Sequence, residues 1–156
     1  MATLKNTTIN DTGYLTVPSG TSNQRPGVII NSGINMTSTY GFLKPAVNGE
    51  PLTISGNGSA WGTWVNLPSY LYGLTGTSSI NDTDSGSWTL TTTTTVYMLR
   101  NPGWNAVDTT GWTLVESSKN YMNVDTGTSV YSKVFSAGTY TFDNNSAMYI
   151  FSFPSL

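Results

Sequence analysis

No stretch of this chain carries a 3.6-residue apolar period long enough to make a helix, whereas short extended segments punctuated by turn residues recur along its whole length. That pattern leaves few folds open. Only 9% of the residues are charged, against about 25% in an ordinary soluble domain, and Thr, Ser, Asn and Gly fill the space. Ser and Asn offer the backbone competing hydrogen bonds and Thr loses rotamer freedom in a helix, while Thr, Tyr, Trp and Val suit a pleated surface. The expectation is an all-β chain. Its 156 residues are enough for one domain that buries roughly 68–70% of its unfolded surface. With no Cys, that core has to stand without disulfides.

Three regions can be read in more detail. The segment from Thr139 through Phe142 runs into Asp143-Asn144-Asn145-Ser146 and then Ala147 to Phe153, so two aromatic-rich strands flank a loop of residues that tolerate left-handed backbone. Together with the alternating Val130 to Phe135 and a turn at Ala137-Gly138, this reads as a three-strand meander. In the middle, Ser87 to Arg100 reads as one long strand, with Trp88, Leu90, Val96 and Met98 on one face and Tyr97 and Leu99 on the other. It contains the Thr run 91–95, which reads as a twisted strand with one wetted face in preference to a hydroxyl ladder facing ice or a glycan. From Asn101 to Ser118 the pattern breaks around Pro102-Gly103-Trp104 and Gly111-Trp112, more like an extended aromatic loop of the recognition type. Residues 1–35 differ again, being poor in aromatics, and Pro18 and Pro26 each remove a ladder donor. They read as an extended arm with one short strand, and residues 36–156 as the folded domain.

The chemistry open to the chain is narrow. Without His or Cys the common general base, the thiolate nucleophile and the usual zinc ligands are missing. Eight carboxylates remain, and a glycosidase needs two of them about 5 to 9.5 Å apart across a cleft. These acids, Glu50 and Glu116 included, mostly sit beside Gly, Asn, Ser or Thr in turn-like segments, where Asp serves the backbone. The expectation is a protein that is not an enzyme and carries no cofactor. Asp82 and Asp84, followed by Gly86, imitate the front of a calcium loop, but the expected bidentate acid is Thr91, so they remain a weak calcium candidate beside a plain turn. Trp61, Trp64, Trp104 and Trp112 are candidates for stacking on sugar rings, against the alternative that each fills a core. Trp104, in a Pro-Gly-Trp-Asn turn, is the one expected to be exposed. A net charge of −2 leaves no basic stripe for nucleic acid, and neither an N-terminal export segment nor a long apolar run points to a membrane.

Two resemblances add to this reading. Gly13 to Pro26, Gly-Tyr-Leu-Thr-Val-Pro-Ser-Gly-Thr-Ser-Asn-Gln-Arg-Pro, resembles a peptide found in tail fibres and other virion proteins of tailed bacteriophages. The family's usual Gly-Met-Ile-Arg-Tyr-Asn-Thr continuation is replaced here by Gly33-Ile34-Asn35-Met36-Thr37, which departs from a fibre-shaft repeat. From Leu67 to Phe153, and most sharply at Val130-Tyr131-Ser132-Lys133-Val134-Phe135-Ser136-Ala137-Gly138, the chain is similar to an accessory β-sandwich module of bacterial polysaccharide-degrading enzymes. That likeness implies a jelly-roll-like antiparallel β-sandwich and carbohydrate binding without hydrolysis.

Taken together, the expectation is an arm followed by a sandwich in a virion protein assembled in the host cytoplasm and displayed on the particle surface. The first reading is a capsid decoration or cement protein, attached through Tyr14, Leu15, Val17, Pro18, Arg25 and Pro26 to the major capsid protein or another virion protein. A homotrimer is expected, since particle surfaces offer three-fold sites. The alternatives are a short tail or tail-fibre component, or a freestanding carbohydrate-binding module that takes a surface polysaccharide.

Overall fold

The computed structural model describes residues 8–9, 15–16, 33–38, 43–53, 60–77, 85–101, 107–123, 127–143 and 147–153. In chain order the strands are β1 (Thr8–Ile9), β2 (Leu15–Thr16), β3 (Ile34–Ser38), β4 (Leu43–Pro45), β5 (Pro51–Thr53), β6 (Ala60–Thr63) and β7 (Thr75–Thr77). They continue with β8 (Ser85–Leu90), β9 (Thr94–Arg100), β10 (Thr113–Lys119), β11 (Thr128–Phe135), β12 (Gly138–Asp143) and β13 (Met148–Ser152). Every strand pairing is antiparallel. The protein is an all-β antiparallel sandwich. A six-stranded sheet of order β10-β11-β9-β13-β7-β4 packs against a three-stranded sheet of order β12-β8-β3, and β5 pairs with β6 in a separate hairpin.

The two sheets face each other across an aromatic interior. Trp88 and Leu90 from β8, Ile34 from β3 and Phe142 from β12 meet Val96, Met98, Tyr149 and Phe151 of the larger sheet. Trp88 sits at the centre, 4.6 Å from the Tyr149 ring and 5.5 Å from those of Phe142 and Phe151. It is 4% exposed. Rings offset and tilted at these separations contribute beyond their buried area.

The reverse face of the six-stranded sheet is covered too. Leu99, Val130, Met148 and Ile150 point to that side and pack with Ala46, Leu52, Trp64, Leu67, Leu71, Tyr121 and Met122. Strand β13 is therefore buried on both faces, which explains why Met148-Tyr149-Ile150-Phe151 shows no polar alternation. The covering segment is tied down by side-chain amides, with Leu67 N donating to Asn48 Oδ1 at 3.0 Å and Thr63 N to Asn123 Oδ1 at 2.8 Å. At Gly76 in β7 a Cβ would lie 3.4 Å from Ile150 Cγ1 and 3.5 Å from the Tyr149 carbonyl, so the missing side chain lets β7 close on β13.

Three local expectations are corrected. Ser87 to Arg100 is two strands in different sheets. The chain leaves β8 after Leu90, where Thr91 N donates to the Gly33 carbonyl and the Thr94 hydroxyl donates to the Thr92 carbonyl, and it enters the facing sheet at Thr94. The side-chain alternation survives the crossing: Trp88 and Leu90 meet Val96 and Met98 from opposite walls of one core, while Leu99 and Tyr97 serve the other. The closing meander is not formed either. β12 pairs with β8, and β13 pairs with β9 and β7, so the loop between them crosses from one sheet to the other. Finally, the segment read as a loop up to Ser118 contains β10, an edge strand that pairs with β11 through two register shifts. Its polar, exposed sequence carries no alternation that would mark a strand.

Of the N-terminal segment, β1 and β2 pair with each other, Thr8 opposite Thr16 and Ile9 opposite Leu15. β3 begins at Ile34.

Candidate binding site

Among the described residues, a group of aromatic side chains reaches the surface together where β10, β11 and β12 meet. Asp108 opens the approach to β10: its Oδ1 accepts from Thr110 N at 2.8 Å, and Trp112 N donates to the Thr109 carbonyl at 3.0 Å. This turn needs Gly111 at φ 75°, in the left-handed region that a residue with a Cβ adopts at a cost. The hydrogen bonds from Thr110, supported by the Lys133 charge, hold the Asp108 carboxyl below the usual carboxylate range.

Trp112, half-buried, is delivered by that turn against Phe135, at 5.6 Å, and Tyr149, at 6.3 Å. Strand β11 alternates so that Tyr131, Lys133 and Phe135 share a face, and the Lys133 Nζ lies 5.9 Å from the Trp112 ring and 5.4 Å from the Phe135 ring. Such placements are cation–π contacts. Tyr140 of β12 closes the group, its ring 4.7 Å from Phe135 and its hydroxyl donating to the Ser136 carbonyl at 3.0 Å. The result is a rim of half-buried rings with one ammonium and one carboxylate beside it. It can stack on an apolar ring face and offer a charged donor and a charged acceptor to hydroxyls.

The other sequence candidates divide sharply. Trp64 is 1% exposed and fills the second core. Its backbone is held by a bridge to Met122 and by hydrogen bonds with Gly49 and Glu50, so its indole has no face for a sugar and the sugar-stacking expectation is corrected for this residue. The Trp61 side chain, Trp104, the calcium candidates Asp82 and Asp84, and the arm residues Tyr14, Val17, Pro18, Arg25 and Pro26 lie outside the described residues, as does the Leu15 side chain. Among the described residues no group of three or more carboxylates gathers to hold a metal ion.

The two glutamates have structural partners. Glu50 pairs with the buried Lys44 at 3.1 Å, and Lys44 also donates to the Pro51 carbonyl. Glu116 accepts from the Tyr121 hydroxyl. Burial first, and the Glu116 carboxylate second, push the Tyr121 phenol up to about 12, and the same two causes raise Tyr70 further.

Lys133, Asp108, Phe135 and Tyr140 were not singled out from the sequence as site residues. The Lys133-Val134-Phe135 alternation and the Asp108-Thr-Thr-Gly-Trp spacing were the signals that could have found them. No family model, curated protein or solved structure matches this chain.

Proposed function

We propose that this chain is a non-enzymatic structural protein of a tailed-phage virion, a decoration or cement protein on the capsid exterior, held by residues 1–35 with the sandwich displayed outward. The observation that carries the reading is the Gly13 to Pro26 peptide, which stands ahead of a self-contained sandwich. Further support comes from the acids. Glu50 is engaged by Lys44, Glu116 by Tyr121 and Asp108 by Thr110, and each of these contacts accounts for its carboxylate without a catalytic role. Side chains left at the surface also fit a contact protein. Leu114 and Val115 on the edge strand β10 are 54% and 42% exposed, and Val134 on its neighbour β11 is 64% exposed, apolar surface available to a neighbouring subunit or the particle. Partners in this reading are the major capsid protein and two further copies in a trimer. Electron microscopy of virions that lack the protein tests it: loss of a regular feature from the head is expected, and an unchanged capsid surface would overturn the decoration role in favour of a short tail or fibre component.

A second reading, a lectin-like module, is favoured by the Trp112 rim. It predicts that Trp112→Ala abolishes polysaccharide retention by the purified protein, and retention unaffected by that substitution would remove it.

A further inference from the structure

The outward face of the three-stranded sheet is built differently from the rest of the molecule. The ladder places Thr139 opposite Thr89 and Thr89 opposite Asn35, and in the next outward row Thr141 opposite Ser87. Asn35, Thr89, Thr139 and Thr141 are exposed and Ser87 is half-buried. The alternate row, Tyr140, Trp88 and Met36, faces the core. Hydroxyl and amide groups therefore stand in a grid with about 4.8 Å between strands and about 6.8 Å along them. Two of them already orient each other, the Thr89 and Thr139 hydroxyls lying 2.9 Å apart. These hydroxyls lie outside the Thr run 91–95: the grid is assembled across three strands and not along one.

Charge sets this face apart. Asp143, at the far end of β12, is the only ionisable carboxylate or cation in β3, β8 and β12; every other described charged residue lies outside this sheet. An anionic partner would find no cation to pair with in these strands, and a cationic one only Asp143 at the end of β12, so along the rest of the face a charge would be stripped of water without compensation. A neutral polyol meets no such penalty, and each Thr or Ser hydroxyl can donate one hydrogen bond and accept two, as a sugar hydroxyl can. The grid is also held rigid from behind by Trp88 and the rings stacked around it, so little side-chain or backbone ordering is left for binding to impose.

We propose that the outward face of the β3-β8-β12 sheet binds a neutral, extended polysaccharide, whose repeating hydroxyls match a repeating grid. Single hydroxyl contacts barely exceed the water they replace, so one copy binds weakly and many copies on one particle bind tightly through avidity. That last step rests on the virion reading; the site itself does not.

The test is electrophoresis of the purified full chain through gels that contain hydroxyethylcellulose, dextran or alginate. Retardation by a neutral polymer that persists at about 1 M salt, where the screening length falls to about 3 Å, is the expected result. The triple variant Thr89→Val, Thr139→Val, Thr141→Val keeps shape and strand preference, and should bind at least about tenfold more weakly with an unchanged circular dichroism spectrum. As a control away from both this face and the Trp112 rim, Tyr72→Ala, at a side chain that is 51% exposed, should bind like the parent. Absence of retardation by either neutral polymer, a triple variant that binds like the parent, or binding confined to alginate and abolished by salt would each overturn the proposal. A protein retarded by neutral polymer but absent from virions would leave this site standing and remove the virion reading instead.

Discussion

Trp88→Ala should be the most damaging single truncation in the interface between the two sheets. The indole is 4% exposed and is surrounded by Tyr149 at 4.6 Å, Phe142 and Phe151 at 5.5 Å and Phe135 at 6.4 Å. Truncating a buried Trp costs about 3–5 kcal/mol, more where the neighbours cannot collapse into the space. Here the neighbours are rigid rings anchored on β12, β13 and β11, so the cost should fall near about 5 kcal/mol. For a chain of this length about 1 kcal/mol corresponds to roughly 2–4 °C, giving a melting temperature lower by about 10–20 °C. Trp88→Phe separates packing from polarity. It loses ring area, but it also removes the buried Nε1, which has no hydrogen-bond partner and so carries a desolvation penalty of about 1–3 kcal/mol. The two terms oppose each other, and the Phe variant should lose less than half of what the Ala variant loses. Urea unfolding followed by circular dichroism gives both values. A loss below about 1 kcal/mol for Trp88→Ala would refute the reasoning, because a residue so placed cannot then be what joins the sheets.

Three further outcomes follow from particular contacts. Glu50→Gln leaves the Lys44 ammonium, only 8% exposed, with a neutral partner; with Glu50 itself 31% exposed and partly screened, the loss should be about 1–3 kcal/mol in urea unfolding at neutral pH. The Tyr121 phenol is raised to about 12 and ionises near 10 when unfolded, so its contribution is fully present below pH 10 and is lost as pH rises from about 10 to 12. Unfolding free energy should therefore fall with alkaline pH, less steeply in Tyr121→Phe, and equal slopes in the two proteins would contradict this. Gly111→Ala should cost about 1–2 kcal/mol through its φ of 75°, since the only atoms a Cβ would meet are the movable end of Lys133; an unchanged stability would mean that the turn before Trp112 is not needed.

Much of the fold could be read from residue type alone, because Thr, Tyr, Val and Trp in short turn-bounded runs leave a pleated sheet as the physical option. The face assignment at Trp88, Leu90, Val96 and Met98 survived even though the strand did not, since a two-residue period is the same whether the chain continues or crosses to the facing sheet. The crossing itself was hidden: Thr91 to Thr93 are as comfortable in a strand as at a corner, and the hydrogen bond from Thr91 to Gly33 that marks the corner spans 58 residues. The closing hairpin failed for a related reason. Two aromatic strands around an Asp-Asn-Asn-Ser loop look alike whether they pair or face each other. β10 gave no signal because nearly every residue in it is exposed. Composition cannot separate Trp64 from Trp112. The first is enclosed by residues distant in sequence, such as Met122, and the second is lifted to the rim by the local Asp108 to Gly111 turn.

The central claim is that this chain belongs on the outside of a particle and attaches there through its N-terminal segment. Gold-labelled antibody against the sandwich, imaged on intact virions, tests it most directly. Label distributed over the capsid exterior, and lost when Val17, Pro18 and Arg25 are substituted in the full chain, is the result the account predicts. Virions that carry no label on either head or tail would contradict it.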